Sequence, residues 1–172
     1  MILQTSRLTL RPLQAEDAPN LHAIMSDAEV MAFWDIAEIE DMGLTSTILE
    51  SQLDQMARKS AFYWAMERAA DGAFVGCCDL SEIDRRHHRA EVGFIVGREH
   101  WGDGYTLEAM QAVLSHAAQS LRLRRLTART HLGNVRSVKL LERLGFEEEG
   151  LLRGYVDRDG ERRDCQLFGL LL

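Results

Sequence analysis

The sequence RAEVGFIVGREHWGDGYTLEAM, residues 89–110, contains a strand, a glycine-rich turn and the start of a helix. Apolar and other residues alternate over residues 89–97, which predicts a strand. From Tyr105 the apolar side chains recur every 3.6 residues as far as Leu121, which predicts an amphipathic helix. The two glycines of the WGDG segment allow the chain to turn sharply between these elements.

The rest of the chain repeats the same two patterns. Strands are predicted over residues 6–13, 62–67, 73–80 and 124–130 and in a closing hairpin around Asp159-Gly160, and helices after Asp17, over about 45–59 and from Asn134. The order β α α β β β α β α β β predicts an α/β (α+β) fold. We expect one domain over residues 1–172, with a mixed, mostly antiparallel twisted sheet of about seven strands and about four flanking helices.

Composition excludes several classes of protein. The chain has 172 residues, 46% hydrophobic, and only two prolines, which is typical of a globular domain. No apolar run approaches the roughly 20 residues of a membrane helix, and Arg7 and Arg11 interrupt the N-terminal apolar pattern, so no signal peptide is expected. Cys77, Cys78 and Cys165 fit no metal-ligand spacing, and their odd number favours a reducing cytoplasm.

Charge is distributed unevenly along the chain. The net charge is −7, but residues 1–84 carry 15 acidic and 5 basic side chains, whereas residues 85–143 carry 5 acidic and 11 basic ones. One part therefore suits a cationic ligand and the other an anionic one, although uneven solvated surface is the simpler interpretation. The acidic total and the absence of a basic stripe argue against nucleic acid as the partner.

The segment Trp101-Gly102-Asp103-Gly104-Tyr105-Thr106 is the candidate ligand-binding loop. Its glycines allow close backbone approach, and the free N–H groups at the start of the next helix favour an anion such as pyrophosphate. A Walker loop is excluded because no Gly-Lys-Ser/Thr follows, and a dinucleotide fingerprint would need glycine where Leu107 stands. A plain β–α turn without a ligand remains the alternative.

The loop and a second segment, RRLTARTHLGNVRSVKLLERLGFEEEG at residues 124–150, resemble the Gcn5-related N-acetyltransferase (GNAT) superfamily. Within it the chain looks most like the branch of ribosomal-protein and other protein N-terminal acetyltransferases. The opening TSRLTLRPLQAEDA and the late GLLRGYVDRDGERRDCQLFGLL are similar to that branch's first strand and closing hairpin. The resemblance implies an N-acetyltransferase that uses acetyl-CoA and no metal.

The resemblance also assigns residues to the cofactor. It implies that the strand at Phe94, Ile95 and Val96 pairs with the pantetheine arm, that the amides of Trp101 to Thr106 hold the pyrophosphate, and that Asn134 contacts pantetheine. The local positive charge independently suits a phosphorylated nucleotide. The side chains to be tested for phosphate contact are Arg98, Arg136, Lys139 and Arg143. For Asn134, a simple helix N-cap is the alternative.

Two positions depart from the family pattern. Glu99 stands where the family usually has Gln or Arg, and Leu141 stands where many relatives carry a tyrosine general acid. In the ribosomal-protein-like branch the serine of N-x-x-S, here Ser137, is a candidate substitute, whose alternative is a hydrogen bond back to the helix backbone. These departures leave a non-catalytic CoA-binding sensor as an alternative to the enzyme.

Glu91 is the first candidate for the general base, because it matches a recurrent acidic position of the family directly before the pantetheine strand. Its alternative role is that of a salt-bridged strand residue, and Asp79, Glu82 and Asp84 are further candidate bases. The N–H of Ile95 or Val96 is a candidate donor to the thioester oxygen.

The acceptor is predicted to be a primary amine. A protein α-amine loses its proton more easily than a lysine side chain, which favours a peptide N-terminus. The acidic, Met-rich residues 27–60 fall where the family places its acceptor-binding helices, so a cationic peptide N-terminus or small amine is expected. A polyamine or an antibiotic remains the alternative acceptor, and a homodimer is possible.

Overall fold

The computed structural model describes residues 1–172 without a gap. Its strands are β1 (Leu3–Gln4), β2 (Leu8–Pro12), β3 (Phe62–Arg68), β4 (Phe74–Asp84), β5 (Arg89–Val96), β6 (Arg125–His131), β7 (Glu147–Arg158) and β8 (Glu161–Leu171). Its helices are α1 (Ala18–Met25), α2 (Ala28–Met31), α3 (Met42–Ala57), α4 (Tyr105–Gln119) and α5 (Val135–Arg143). Two single 3-10 turns lie at residues 15–17 and 98–100. No helix is long and apolar enough to cross a bilayer.

All strands join one sheet in the order β1-β2-β3-β4-β5-β6-β8-β7. Only β5 and β6 pair in parallel, and every other pair is antiparallel. The predicted mixed, mostly antiparallel α/β fold is confirmed. The sheet has eight strands rather than about seven, and there are five helices rather than about four. The additional elements are β1 and α2, which are two and four residues long and therefore too short to show a hydrophobic period.

A hydrophobic core covers each face of the sheet. On one face, Met110 and Val113 of α4 pack with strand residues such as Leu80. On the other, α1, α2 and α3 cover Cys77 and Ile95. Cys77 and its neighbour Cys78 therefore point to opposite faces, as the strand pattern predicted, and all three cysteines are free thiols. Because the sequence predicts acceptor-binding helices there, we call the face under α1 to α3 the acceptor face.

Local sequence signals mark two of the chain reversals. Gly145 follows α5 with φ +90°, and its N–H and that of Phe146 close the helix on the carbonyls of Glu142 and Leu141. Asp159 and Gly160 connect β7 to β8 with φ of +56° and +80°, as a tight hairpin with two positive-φ residues requires. Both turns lie where the sequence predicts them.

Candidate active site

The central cleft opens where β5 and β6 diverge. The two strands pair over only three residues, which end at Glu91 opposite Thr127. Beyond that point β5 continues beside β4 as far as Val96, whereas β6 continues beside β8 as far as His131. The separation leaves a cavity of about 980 Å³ between the strands and the starts of α4 and α5. Backbone polar groups of β5 therefore face an open space instead of a neighbouring strand.

Strand alternation determines which of these groups face the cleft. The N–H of Gly97 donates to the Val75 carbonyl of β4 at 3.0 Å, so the backbone of Ile95 also faces β4. The N–H groups of Phe94 and Val96 then point into the cleft. The indole of Trp101 donates to the Val96 carbonyl at 3.1 Å. Of the two candidate donors to a thioester oxygen, Val96 has the required direction and Ile95 does not.

The loop before α4 presents a row of amides without acceptors. Gly102 and Gly104 have φ of +89° and +79°, which turns the chain into the helix. The first helical bond runs from Glu108 to the Gly104 carbonyl. The N–H groups with no acceptor in the protein are those of Gly102, Gly104, Tyr105, Thr106 and Leu107. Such an array, at the positive end of a helix, suits a pyrophosphate.

The N-terminal segment fixes this loop. The Glu108 carboxylate accepts hydrogen bonds from Thr5 Oγ1 at 2.6 Å, from Ser6 Oγ at 2.9 Å, and from the backbone and Nε of Arg7 at 2.8 and 2.7 Å. Partial burial opposes its ionisation, but these bonds outweigh burial and lower the pKa of Glu108 to about 2. Arg7 also donates to the Asp103 carbonyl and lies over the Tyr105 ring. Asp103 and Tyr105 therefore shape the loop and do not line the cleft.

Cationic side chains stand beside the amides. Arg136 stacks on the Trp101 ring at 3.8 Å, and Lys139 and Arg143 also line the cleft. Arg98 is instead paired with Asp27 at 2.9 Å and Glu29 at 3.1 Å, so it is directed away from a phosphate. Three of the four side chains predicted to contact phosphate thus line the cleft.

Asn134 and Ser137 lie together at the start of α5. The Asn134 side-chain oxygen accepts the Ser137 N–H at 3.3 Å, which makes it an N-cap, while its amide nitrogen remains free. Both residues line the cleft. The sequence left open that the Ser137 hydroxyl bonds back to the helix backbone; in the structure it makes no such hydrogen bond. Leu141 is buried in the core, and no tyrosine lines the cleft, so the structure offers no phenol as general acid there.

Two carboxylates occupy the acceptor face of β4 and β5. The Glu91 side chain is about one-third exposed, and Arg129 Nε lies 4.0 Å from it. Burial raises the pKa of Glu91, and Arg129 partly opposes that effect. Asp79 lies against Gly93, where a Cβ would meet its Oδ1 at 2.4 Å, and burial raises the pKa of Asp79 to about 7. Glu91 and Asp79 are both candidates to accept a proton near neutral pH.

The other two carboxylates considered from the sequence differ in position. Asp84 pairs with Arg89 at the start of β5, remote from the divergent end, and accepts the His87 N–H at 3.0 Å. Glu82 is exposed at a bulge of β4, with φ +49°, and its charge acts on Glu91. Asp84 therefore lies away from the cleft, and Glu82 lies nearer to Glu91.

The loop between α2 and α3, residues 32–41, forms the acceptor side of the cleft, and the sequence did not predict what holds it. Phe33 and Trp34 line the cleft. The buried Arg158 of β7 donates to the carbonyls of Met31, Ala32 and Trp34 at 2.6, 3.1 and 3.3 Å. A single arginine in a polar hairpin sequence gives no periodic signal, so these contacts are visible only in the structure.

The fold and this arrangement define an acyltransferase that uses an acylated nucleotide thioester. The acetyltransferase (GNAT) domain model matches residues 7–147, and the chain belongs to this family. Over 169 residues, 98% of this chain and 95% of the relative, it is 35% identical to the uncharacterized N-acetyltransferase p20 of Bacillus licheniformis. The protein is thus an N-acetyltransferase, and its acetyl donor is acetyl-CoA.

Two further comparisons concern proteins with named acceptors. The chain is 32% identical to the ribosomal protein uS5-alanine N-acetyltransferase of Escherichia coli (strain K12) over 112 residues, which are 64% of this chain and 58% of that protein. The crystal structure of spermidine N-acetyltransferase from Vibrio cholerae with CoA and spermine matches with a TM-score of 0.84 and 25% identity, over 96% of each chain. Both types of acceptor therefore occur among similar proteins.

Proposed function

We propose that this enzyme acetylates the α-amine of a protein or peptide N-terminus. The observation that carries the proposal is the composition of the acceptor side, where Glu91, Asp35 and the exposed Tyr155 all lie beside Arg129 and exposed Phe33 lines the cleft. Carboxylates attract an ammonium group, and aromatic surfaces suit the side chains that follow it in a peptide. The similarity to the uS5-alanine enzyme supports this assignment.

The cost of deprotonation favours the same acceptor. At pH 7 a lysine amine is held as free base at a cost of about 4.6 kcal/mol, whereas an α-amine with pKa near 7.8 costs about 1 kcal/mol. Glu91 is a partly exposed carboxylate beside an arginine, and such a base can deprotonate an α-amine more readily than a lysine amine.

Each step of the acetyl transfer is assigned to a residue of this chain. Acetyl-CoA supplies a thioester, whose carbonyl carbon forms a bond to the amine nitrogen as its C–S bond breaks. Glu91 takes the proton that the amine loses, with Asp79 as the alternative base. The Val96 N–H donates to the carbonyl oxygen as negative charge develops there. Ser137 donates a hydrogen bond that holds the departing sulfur, or gives it a proton that the hydroxyl takes back from water.

The cofactor contacts follow the same proposal. The free amides of Gly102, Gly104, Tyr105, Thr106 and Leu107 hold the pyrophosphate, and Trp101 and Arg136 flank it; the Trp101 and Asp103 amides donate to the carbonyls of Arg98 and His100 instead. Phe94 hydrogen-bonds the pantetheine arm through its backbone, the Val96 N–H serves the thioester end of that arm, and Ile95 contributes only its position in the strand. The free amide of Asn134 reaches the same arm, and Lys139 faces the nucleotide phosphate.

Substitution of the two catalytic candidates tests these roles. In Glu91→Gln we expect turnover to fall about 10²- to 10⁴-fold, as for loss of a general base, with unchanged acetyl-CoA affinity. Asp79→Asn is the matched comparison, and Ser137→Ala tests the acid. If Glu91→Gln retains full turnover while Asp79→Asn loses it, the base is Asp79.

A polyamine is the second candidate acceptor. The solved spermidine N-acetyltransferase with spermine bound supports it, as does the acidic loop 32–41, which carries Asp35, Glu38, Glu40 and Asp41. The test compares a peptide with a free N-terminus, the same peptide with its N-terminus blocked and an internal lysine added, and spermidine. Acetylation of the first alone supports the α-amine, and a preference for spermidine overturns it.

A further inference from the structure

Asp35, in loop 32–41, lies at the junction of the acceptor side with β6. Its carboxylate contacts His131 Nε2 at 2.8 Å and Arg129 Nη1 at 3.2 Å. The His131 side chain is almost completely buried, whereas half of the Asp35 side chain is exposed. The strand therefore fixes the position of the carboxylate, although the loop itself lies on the surface.

Arg129 is shared between two carboxylates. Both of its terminal nitrogens are within 3.3 Å of Asp35 Oδ2, while its Nε is 4.0 Å from Glu91 Oε1. The Tyr155 ring, 4.8 Å from the guanidinium, covers one side of it. The guanidinium thus makes its closer ion pair with the loop and its longer one with the candidate base. Removing the charge of Asp35 would leave Glu91 as its nearest carboxylate.

The remaining charges near Glu91 come from β4. Asp79 and Glu82 are both acidic, so Arg129 is the one cation among the groups that act on Glu91. Burial raises the pKa of Glu91, Arg129 lowers it, and Glu82 and Asp35 raise it. Loop 32–41 can therefore change the pKa of Glu91 by changing, through Asp35, how strongly Arg129 interacts with Glu91.

We propose that Asp35 is a positioning residue for the reaction: by holding the Arg129 guanidinium, it prevents that cation from neutralising Glu91 and keeps Glu91 able to accept the amine's proton. This inference rests on the proposed role of Glu91. Arg158 holds the same loop through the carbonyls of Met31 and Ala32. Glu91 is therefore most basic when loop 32–41 has the position seen in the structure.

Titration of the Glu91 carboxyl carbon by ¹³C NMR tests the proposal without using activity. The signal is assigned by its absence in Glu91→Gln. In Asp35→Asn we expect the pKa of Glu91 to fall by about half a unit or more, because a like charge is lost and Arg129 is released. Glu38→Gln is the matched control, since Glu38 lies on the same loop but faces Arg158 at 3.8 Å. It should leave the titration unchanged.

Arg129→Gln is an independent variant for which the expected shift of the Glu91 pKa has the opposite sign. It should raise the pKa of Glu91, and adding Asp35→Asn to it should then shift that pKa by less than half of the amount seen in the wild-type background. If Asp35→Asn fails to fold, the Arg129→Gln titration decides alone. A Glu91 titration that is unmoved by Asp35→Asn, or by Arg129→Gln, overturns the proposal.

The pH profile of kcat, with one acceptor throughout, links the titration to function. A base must be deprotonated, so activity is lost as the pH falls through its pKa, and in Asp35→Asn this acidic limb should move to lower pH by the same shift. A moved titration with an unmoved limb overturns the positioning role. Full turnover in Glu91→Gln would instead show that the proposed base is wrong, which is a separate outcome.

Discussion

The two halves of the cleft are built in different ways. The cofactor half, made of loop 101–107 and the start of α5, presents mainly backbone amides of two short segments, although Glu108 ties the loop to residues 5–7, which are 101 to 103 residues away. The acceptor half, made of loop 32–41 and the divergent ends of β5 and β6, depends on side chains far apart in the chain. Arg158 reaches Met31 across 127 residues, and Arg129 reaches Asp35 across 94. Backbone geometry thus presents the groups for acetyl-CoA, whereas contacts between distant side chains shape the acceptor half.

The cofactor half should bind its ligand in the absence of an acceptor, and this is the largest effect that we expect. At 100 times its Kd, acetyl-CoA adds about 2.7 kcal/mol to the free energy of unfolding, which is about 5–10 °C in Tm for a chain of this size. Thermal unfolding with acetyl-CoA, NAD and ATP in parallel measures it. A larger shift with NAD or ATP would show that loop 101–107 was misinterpreted.

Arg158→Met should damage the acceptor half selectively. The loss removes a buried donor from the carbonyls of Met31, Ala32 and Trp34. Ala32 keeps Arg163 and Met31 keeps the Trp34 N–H, so the Trp34 carbonyl alone is left without a donor, at about 1–3 kcal/mol for a buried group. Loop 32–41 is then held less firmly. We expect KM for the acceptor to rise about tenfold, which corresponds to about 1.4 kcal/mol, with unchanged Kd for acetyl-CoA. Steady-state kinetics and calorimetry measure the two quantities.

Arg163→Met is the matched control for this change. Arg163 comes from the same hairpin and donates to the Ala32 carbonyl at 3.2 Å, but it is more exposed than Arg158 and has only this one loop contact. Its effect on KM should therefore be below about threefold. Equal effects of the two substitutions would contradict the role assigned to the buried arginine.

Glu108→Gln should weaken the cofactor half in a pH-dependent way. Because the folded pKa of Glu108 is lowered to about 2 from 4.5, its contribution to stability is present above pH 4.5 and is lost as the pH falls toward 2. At pH 6 we expect a Tm decrease of about 2–4 °C, or about 1 kcal/mol, and weaker binding of acetyl-CoA.

Thermal unfolding at pH 6 and pH 3 tests the sign. The difference between wild type and Glu108→Gln should shrink at pH 3, where wild-type Glu108 begins to lose its charge. Glu142→Gln, an exposed position on α5 with no ion pair, should show no such pattern. A deficit that is the same at both pH values would mean that the four hydrogen bonds, and not the charge, hold the loop.

The same contrast explains what the sequence predicts. The loop glycines, the Gly145 helix end and the Asp159-Gly160 hairpin are local signals, and each is found in the predicted place. The Asp35, Arg129 and Arg158 contacts join distant segments through charged side chains, which follow no hydrophobic period. The sequence could not decide whether the Val96 or the Ile95 N–H faces the cleft, because this depends on the register between β4 and β5, which the pattern of one strand does not reveal.

The smallest expected effect separates two arginines at the cofactor half. Arg136→Ala removes a cation stacked on Trp101 beside the free amides and should weaken acetyl-CoA binding about two- to fivefold, or about 0.5–1 kcal/mol. Arg98 is much closer in sequence to the loop than Arg136 is, but its guanidinium is already engaged by Asp27 and Glu29, so Arg98→Ala should change the Kd by less than about twofold. Calorimetric titration of both variants with acetyl-CoA at two salt concentrations measures this difference. If Arg98→Ala has the larger effect, its ion pairs rearrange on binding, and the acceptor-side residues 27–29 then contribute to the cofactor half after all.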